Sequence, residues 1–204
     1  MNLREARFSV IDLETTGLNL LKDEILSIAI VPMKGTKILA GESYYTFVKP
    51  ETYDLKSMKI HGIDPKTLEK APKFSKIAEE VKKKIGDSVI VGHAVEIDFD
   101  FLKKAFKAEG IELKNKCIDI ALLEKWLSDR LGERKCTADL SLDSLIRDYN
   151  LSVRFRHDAL ADAFLTAQIF QIQLLKLMKY GLTSLERVLS IIESTKMTRI
   201  DFIF

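Results

Sequence analysis

The stretch Phe8-Ser9-Val10-Ile11-Asp12-Leu13-Glu14-Thr15-Thr16-Gly17 decides how the rest of the chain is read. It begins as an apolar, β-branched run of the kind that forms a buried strand. It ends by presenting two acids and a Thr-Thr-Gly turn. Strand side chains alternate, so Asp12 and Glu14 project from one face, roughly 6–7 Å apart. Two ionised acids on an apolar strand repel each other and resist burial. A divalent cation relieves both costs, and hard oxygen donors suit Mg²⁺ or Mn²⁺. A strand that simply runs out into solvent at its acidic end is the alternative. The stretch alone does not choose between them.

Working outward, the bulk numbers set limits. The chain has 204 residues, 47% hydrophobic and 30% charged, with a net charge of +2. That is enough for one domain with a good core, and it excludes a disordered chain. The charge balance neither announces nor forbids a nucleic-acid partner. A metal cluster would supply locally the positive charge the whole chain lacks. Two cysteines, Cys117 and Cys136, are too few for a disulfide framework. With a short polar start and no signal-peptide pattern, they point to the cytoplasm. No apolar run reaches membrane-spanning length, so no membrane association is expected.

After Gly17, residues 24–33 and 37–48 read as two further strands joined by the turn Lys34-Gly35-Thr36, which predicts a three-stranded antiparallel meander. Residues 51–73 are irregular. Apolar residues at Phe74, Ile77, Ala78, Val81 and Ile85 have helical spacing. Beyond them, short strands at 88–91 and 116–120 alternate with helices, the signature of parallel βα units. A long helix is expected after His157, closing at Gly181, and an amphipathic helix over 182–195. The predicted fold class is thus α/β: a mixed sheet of three antiparallel and two parallel strands, flanked by helices. The expected division is a domain over 1–180 and a C-terminal helix with an apolar tail over 181–204.

Further acids fall where such a sheet would bring them together. Asp98 lies in the first turn of the helix after strand 88–91, where it either caps the helix or reaches over the sheet towards Asp12. Asp100 is its rival, but the two point to opposite sides of a helix. Asp158 is a natural N-cap. Asp162 lies one turn inside, among small residues (Ala159, Ala161, Ala163, Ala167) that suit close packing on the sheet, and it is the better metal ligand. His157, just before the helix, belongs to the residue type that titrates near neutrality and is the natural proton carrier. His93 reads as a structural hydrogen-bonding residue.

These residues also carry a resemblance. DLETTG at 12–17, GHAVEIDFDFL at 92–102 and HDALAD at 157–162 resemble the three motifs of the DEDDh exonucleases, the family of the proofreading epsilon subunit of bacterial DNA polymerase III. The similarity covers roughly residues 5–178 and extends to MKIHGI at 58–63, the Ile118-Asp119 strand and SLDSL at 141–145. It implies an RNase H-like fold and a 3′–5′ exonuclease acting on single-stranded or frayed DNA in proofreading or repair. It implies two divalent ions, Mg²⁺ or Mn²⁺, on Asp12, Glu14, Asp98 and Asp162, with His157 as general base. Thr15, Thr16, Ile60 and His61 are the implied contacts to the terminal nucleotide. The expected partners are a nucleic-acid 3′ end, DNA before RNA, and a DNA polymerase subunit. Two positions depart from the pattern: Ala94 stands where Asn is usual, and Ile97 where Phe is usual. An RNA 3′–5′ exonuclease is the competing enzyme reading. An inactive subunit that binds a polymerase through residues 182–204 is the competing reading of another class.

Overall fold

The computed structural model describes residues 1–52, 62–131 and 139–200. Its sheet has six strands: β1 (Arg7–Thr15), β2 (Ile25–Lys34), β3 (Lys37–Ile38), β4 (Tyr44–Phe47), β5 (Val89–Gly92) and β6 (Cys117–Asp119). The spatial order is β3-β2-β1-β5-β6, with β4 also on β2. β1–β2, β2–β3 and β2–β4 are antiparallel, while β1–β5 and β5–β6 are parallel. The expected mixed sheet is therefore present.

One strand differs from expectation. Residues 37–48 do not form a continuous strand. A short 3₁₀ turn at Ala40–Glu42 separates β3 from β4. β3 pairs Ile38 with Met33, a register that would carry on to Gly41 opposite Ile30, yet Ile30 pairs with Tyr44. The chain makes a three-residue excursion at Ala-Gly-Glu and returns to the same edge of β2.

The helices are α1 (Pro65–Lys70), α2 (Phe74–Ile85), α3 (Val95–Ala108), α4 (Ile120–Leu131), α5 (Leu142–Asp148), α6 (Ala159–Lys179) and α7 (Leu185–Ile200). None of the described helices is long and apolar enough to cross a membrane. They cover the two faces of the sheet unequally. Ile11, Leu13, Ile28, Ile30 and Ile90 meet α2 and α3 on one face. Phe8, Val10, Ala29, Val31 and Val91 meet α6, α4 and α7 on the other. Ala159, Ala163 and Ala167 of α6 are fully buried, so these small residues bring the helix close to the sheet, while Ala161, expected with them, is only half-buried. α7 packs against the same core through Leu185, Val188 and Ile192. The N-terminus ties to it: Leu3 N–H donates to the Thr183 carbonyl at 2.8 Å, and Asn2 bridges Ser184.

Candidate active site

The alternation of β1 places the site. Phe8 and Val10 lie under α6, whereas Ile11 and Leu13 face α2 and α3. By the same two-residue period, Asp12 and Glu14 continue the α6 face beyond Val10. They sit at the carboxyl end of the central strand, where α/β sheets place ligands. The β1–β2 register shifts between Glu14 and Thr15. A bulge here bends the strand as it delivers its second acid.

Asp98 arrives from α3. β5 pairs with β1 only as far as Val10↔Val91 and ends at Gly92, so the backbone of Leu13 has no strand beside it on that edge. The Asp98 carboxylate takes its place and accepts the Leu13 N–H. Asp100, by contrast, is exposed. Asp162 arrives from the first turn of α6 and is only 6% exposed. Asp158 caps that helix, accepting the Ala161 N–H at 2.9 Å. Asp98 thus turns to the end of β1 while Asp100 faces solvent, and Asp158 caps α6 while Asp162 is buried beneath it.

The electrostatics show that the four acids share one neighbourhood. Asp12 is raised well above the ordinary carboxyl value, by burial first, then by Asp98, Asp162 and Glu14. Glu14 is pushed up to about 7, by burial first and then by Asp162 and Asp158. Asp98 is raised mainly by burial, against the Leu13 hydrogen bond, with Glu14 and Asp119 adding to it. Asp12, Glu14 and Asp98 keep some solvent access while protein surrounds them on most sides. Asp12, Glu14 and Asp98 are disfavoured as anions, and with Asp162 they form an all-oxygen donor set whose chemistry fits Mg²⁺ or Mn²⁺. As placed, no three His, Cys, Asp or Glu side chains among the described residues stand ready around a single ion. Asp162 is held within the protein. One of its oxygens accepts the His157 N–H at 3.3 Å and the other is ion-paired with Arg156.

His157 is exposed and precedes α6 with φ 59°, in the left-handed region that a non-glycine residue adopts at a cost. Its backbone, not its ring, is what Asp162 holds. Thr15 and Thr16 shape the turn after β1. Thr15 Oγ1 donates to the Gly17 carbonyl at 2.8 Å. Thr16 Oγ1 donates to Asp23 at 3.0 Å and accepts the Glu24 N–H at 3.1 Å. A Cβ on Gly17 would fall 2.5 Å from the Asp23 carboxylate, so the turn admits only glycine there without moving Asp23. Ile60, His61 and the basic segment 132–138 lie outside the described residues. His93 has the structural role expected, with Nε2 2.8 Å from the Leu140 carbonyl.

Arg156 and Tyr45 were not singled out from sequence, and Asp119 was noted only within a matching strand. Arg156 joins Asp162 to Asp143, which accepts its Nε–H at 2.8 Å. Its only signal was a cation directly before His157. Tyr45 on β4 stands near Glu14 and Asp158, its phenol pushed up by burial and then by Asp158. Buried Asp119 accepts the N–H of Val95 at 3.2 Å and of Ala121 at 2.8 Å, fixing the starts of α3 and α4 together. Ala94, just before α3, is left-handed at φ 51°. This explains why Asn is at home there, since Asn tolerates that conformation better than Ala does.

Comparison with known proteins gives the family and the fold. Residues 9–170 match the exonuclease family model. The chain belongs to the exonuclease family. It is 31% identical over 190 residues to the PolC-type DNA polymerase III of Caldanaerobacter subterraneus subsp. tengcongensis, covering 92% of this exonuclease chain and 13% of that protein. It is 28% identical over 203 residues to the 3′-5′ exonuclease DinG of Staphylococcus aureus, covering 98% of this chain and 22% of DinG. The chain thus spans only a minor part of either relative. Among solved structures it resembles E. coli exonuclease I in complex with a dT13 oligonucleotide, with TM-score 0.74 and 16% identity over 87% of this chain and 43% of that one. It also resembles the cell-death related nuclease CRN-4, with TM-score 0.72 and 20% identity over 88% of this chain and 66% of that one. At such identities the two structures establish the fold, which is RNase H-like, as expected.

Proposed function

We propose that this chain hydrolyses phosphodiester bonds from the 3′ end of single-stranded or frayed DNA, in proofreading or repair, with two divalent cations held by Asp12, Glu14, Asp98 and Asp162. The observation that carries this reading is the convergence of four carboxylates from β1, α3 and α6, three of them with raised pKa values. Such a cluster has little structural use, since it costs stability unless a cation neutralises it. The DNA assignment rests on the relatives: a polymerase, a 3′-5′ exonuclease and a nuclease solved with an oligodeoxynucleotide.

Bound Mg²⁺ or Mn²⁺ would supply an activated water and charge stabilisation at the leaving 3′ oxygen. The chain does the rest. His157 takes a proton from the attacking water as its oxygen bonds to phosphorus and the bond to the 3′ oxygen breaks. Its exposed position at the mouth of the site leaves the ring free to meet the substrate. The turn at Thr15, Thr16 and Gly17, braced by Asp23, forms a fixed wall beside the acids against which a terminal nucleotide would rest. Leu18, 78% exposed on that turn, offers an apolar surface to a base.

The test is a 5′-labelled oligonucleotide, DNA or RNA, incubated with the purified chain and Mg²⁺, Mn²⁺ or chelator. A metal-dependent ladder shortening from the 3′ end of DNA is expected. A ladder on RNA alone would replace the substrate. No ladder on either would favour a subunit that only binds. His157→Ala should lower turnover at least about a hundredfold while Mn²⁺ binding persists. Full activity in that variant would remove His157 from its role.

A further inference from the structure

Both oxygens of the Asp162 carboxylate face groups of the protein itself. Oδ2 accepts the His157 N–H, and Oδ1 pairs with Nη1 of Arg156. The arginine is not a surface partner of convenience. Its side chain is 19% exposed and that of Asp162 9%, and its Nε–H is anchored at 2.8 Å on Asp143 in the first turn of α5. Its charge also reaches further, partly countering the rise at both Asp12 and Glu14. A guanidinium is cationic at every working pH and forks naturally onto carboxylates. It therefore gives this cluster one of the two things a metal would give, a positive charge among acids, without the other, an activated water.

We propose that Arg156 is a built-in counter-ion that competes with a divalent metal for Asp162 and so sets the metal affinity of the site. The inference rests on Asp162 being a metal ligand. The two cations cannot share Oδ1, because like charges at one oxygen repel. Metal entry requires the guanidinium to swing off Asp162, and its second anchor on Asp143 gives it a place to stay. The apparent affinity for metal is then the intrinsic affinity reduced by the fraction of molecules in which Arg156 has left. Arg156 and His157 are adjacent and hold the same carboxylate, so releasing one loosens the other. Loading the metal thereby frees the segment that carries the base.

Calorimetric titration with Mn²⁺ alone tests this, on wild type, Arg156→Gln, Arg156→Lys and Arg154→Gln. Arg154→Gln removes the same charge two residues away, at an exposed position. Arg156→Gln should bind Mn²⁺ at least about fivefold more tightly than wild type, the low end of coupling between linked ligands. It should also melt lower than wild type in chelator and gain more in melting temperature from Mn²⁺. Arg156→Lys, which keeps the charge but not the fork, should fall between, and it serves if the Gln variant does not fold. Arg154→Gln should bind within about twofold of wild type. Equal or weaker Mn²⁺ binding by Arg156→Gln overturns the proposal, as does equal tightening by Arg154→Gln. Mn²⁺ binding by neither wild type nor any variant would instead sink the metal reading of Asp162. The two failures are thus distinguishable.

Discussion

Phe8 and Asp12 lie on the same face of the same strand, with Val10 between them, and both lie under α6. At one end Phe8 meets Phe170 edge-on, with ring centroids 5.0 Å apart and planes at 81°. At the other end Asp12 and Glu14 meet Asp162. Helix and strand are continuous through both contacts. The aromatic end gains from burial, while the acidic end pays for it, as the raised values of Asp12 and Glu14 show. A strand can carry such a cost because its other half anchors the same helix. Stability and chemistry are placed at opposite ends of one packed pair of elements, with Ala163 and Ala167 holding helix to sheet between them.

That contrast can be broken from either end. The largest effect is expected at the acids. Asp12→Asn should abolish cleavage, yet raise the melting temperature in chelator by at least about 2 °C, the shift that ~1 kcal/mol gives a chain of this size. A variant that loses both activity and stability would mean Asp12 is structural. At the opposite end, Phe170→Ala should cost about 3–5 kcal/mol in denaturant unfolding, leaving the rate per folded molecule near wild type at low temperature. A selective loss of rate would show that the two ends are not separable. The smallest change sharpens the border between them. Ala94→Asn, at the left-handed residue before α3, should stabilise by about 0.5 kcal/mol, part of the ~1 kcal/mol that this conformation costs a residue such as alanine. Its cleavage rate should not change.

How far these features could be read from sequence follows the same division. The period of β1 alone placed Asp12 and Glu14 on one face, and the small residues of α6 identified its packed side and thus Asp162. These are local regularities of strand and helix, visible in any short window. The break at Ala40–Glu42 was not visible, because residues 37–48 have the composition of a strand and the excursion depends on where β2 offers pairing partners. Nor was the role of Arg156, a cation in a polar segment whose partners Asp143 and Asp162 lie on two different helices. Nor was the left-handed conformation of Ala94, set where β5 turns into α3, a helix whose first N–H is held by Asp119 from β6. What was missed depends on contacts between elements distant in the chain.

The direct test of the acidic end is the melting temperature from pH 5 to pH 8, with chelator and with Mn²⁺, for wild type and Asp12→Asn. An acid raised in the folded state binds its proton more tightly there than in the unfolded chain. Its stabilising contribution is complete below the ordinary carboxyl value and is lost as pH rises, for Glu14 up to about 7. Wild type in chelator should therefore fall progressively below Asp12→Asn as pH rises. Mn²⁺ should raise the wild-type melting temperature more at pH 8 than at pH 5, because metal binding displaces those protons, and should do little for Asp12→Asn. A wild-type protein that Mn²⁺ does not stabilise at any pH, or one that tracks Asp12→Asn throughout, would contradict a metal site at the end of β1.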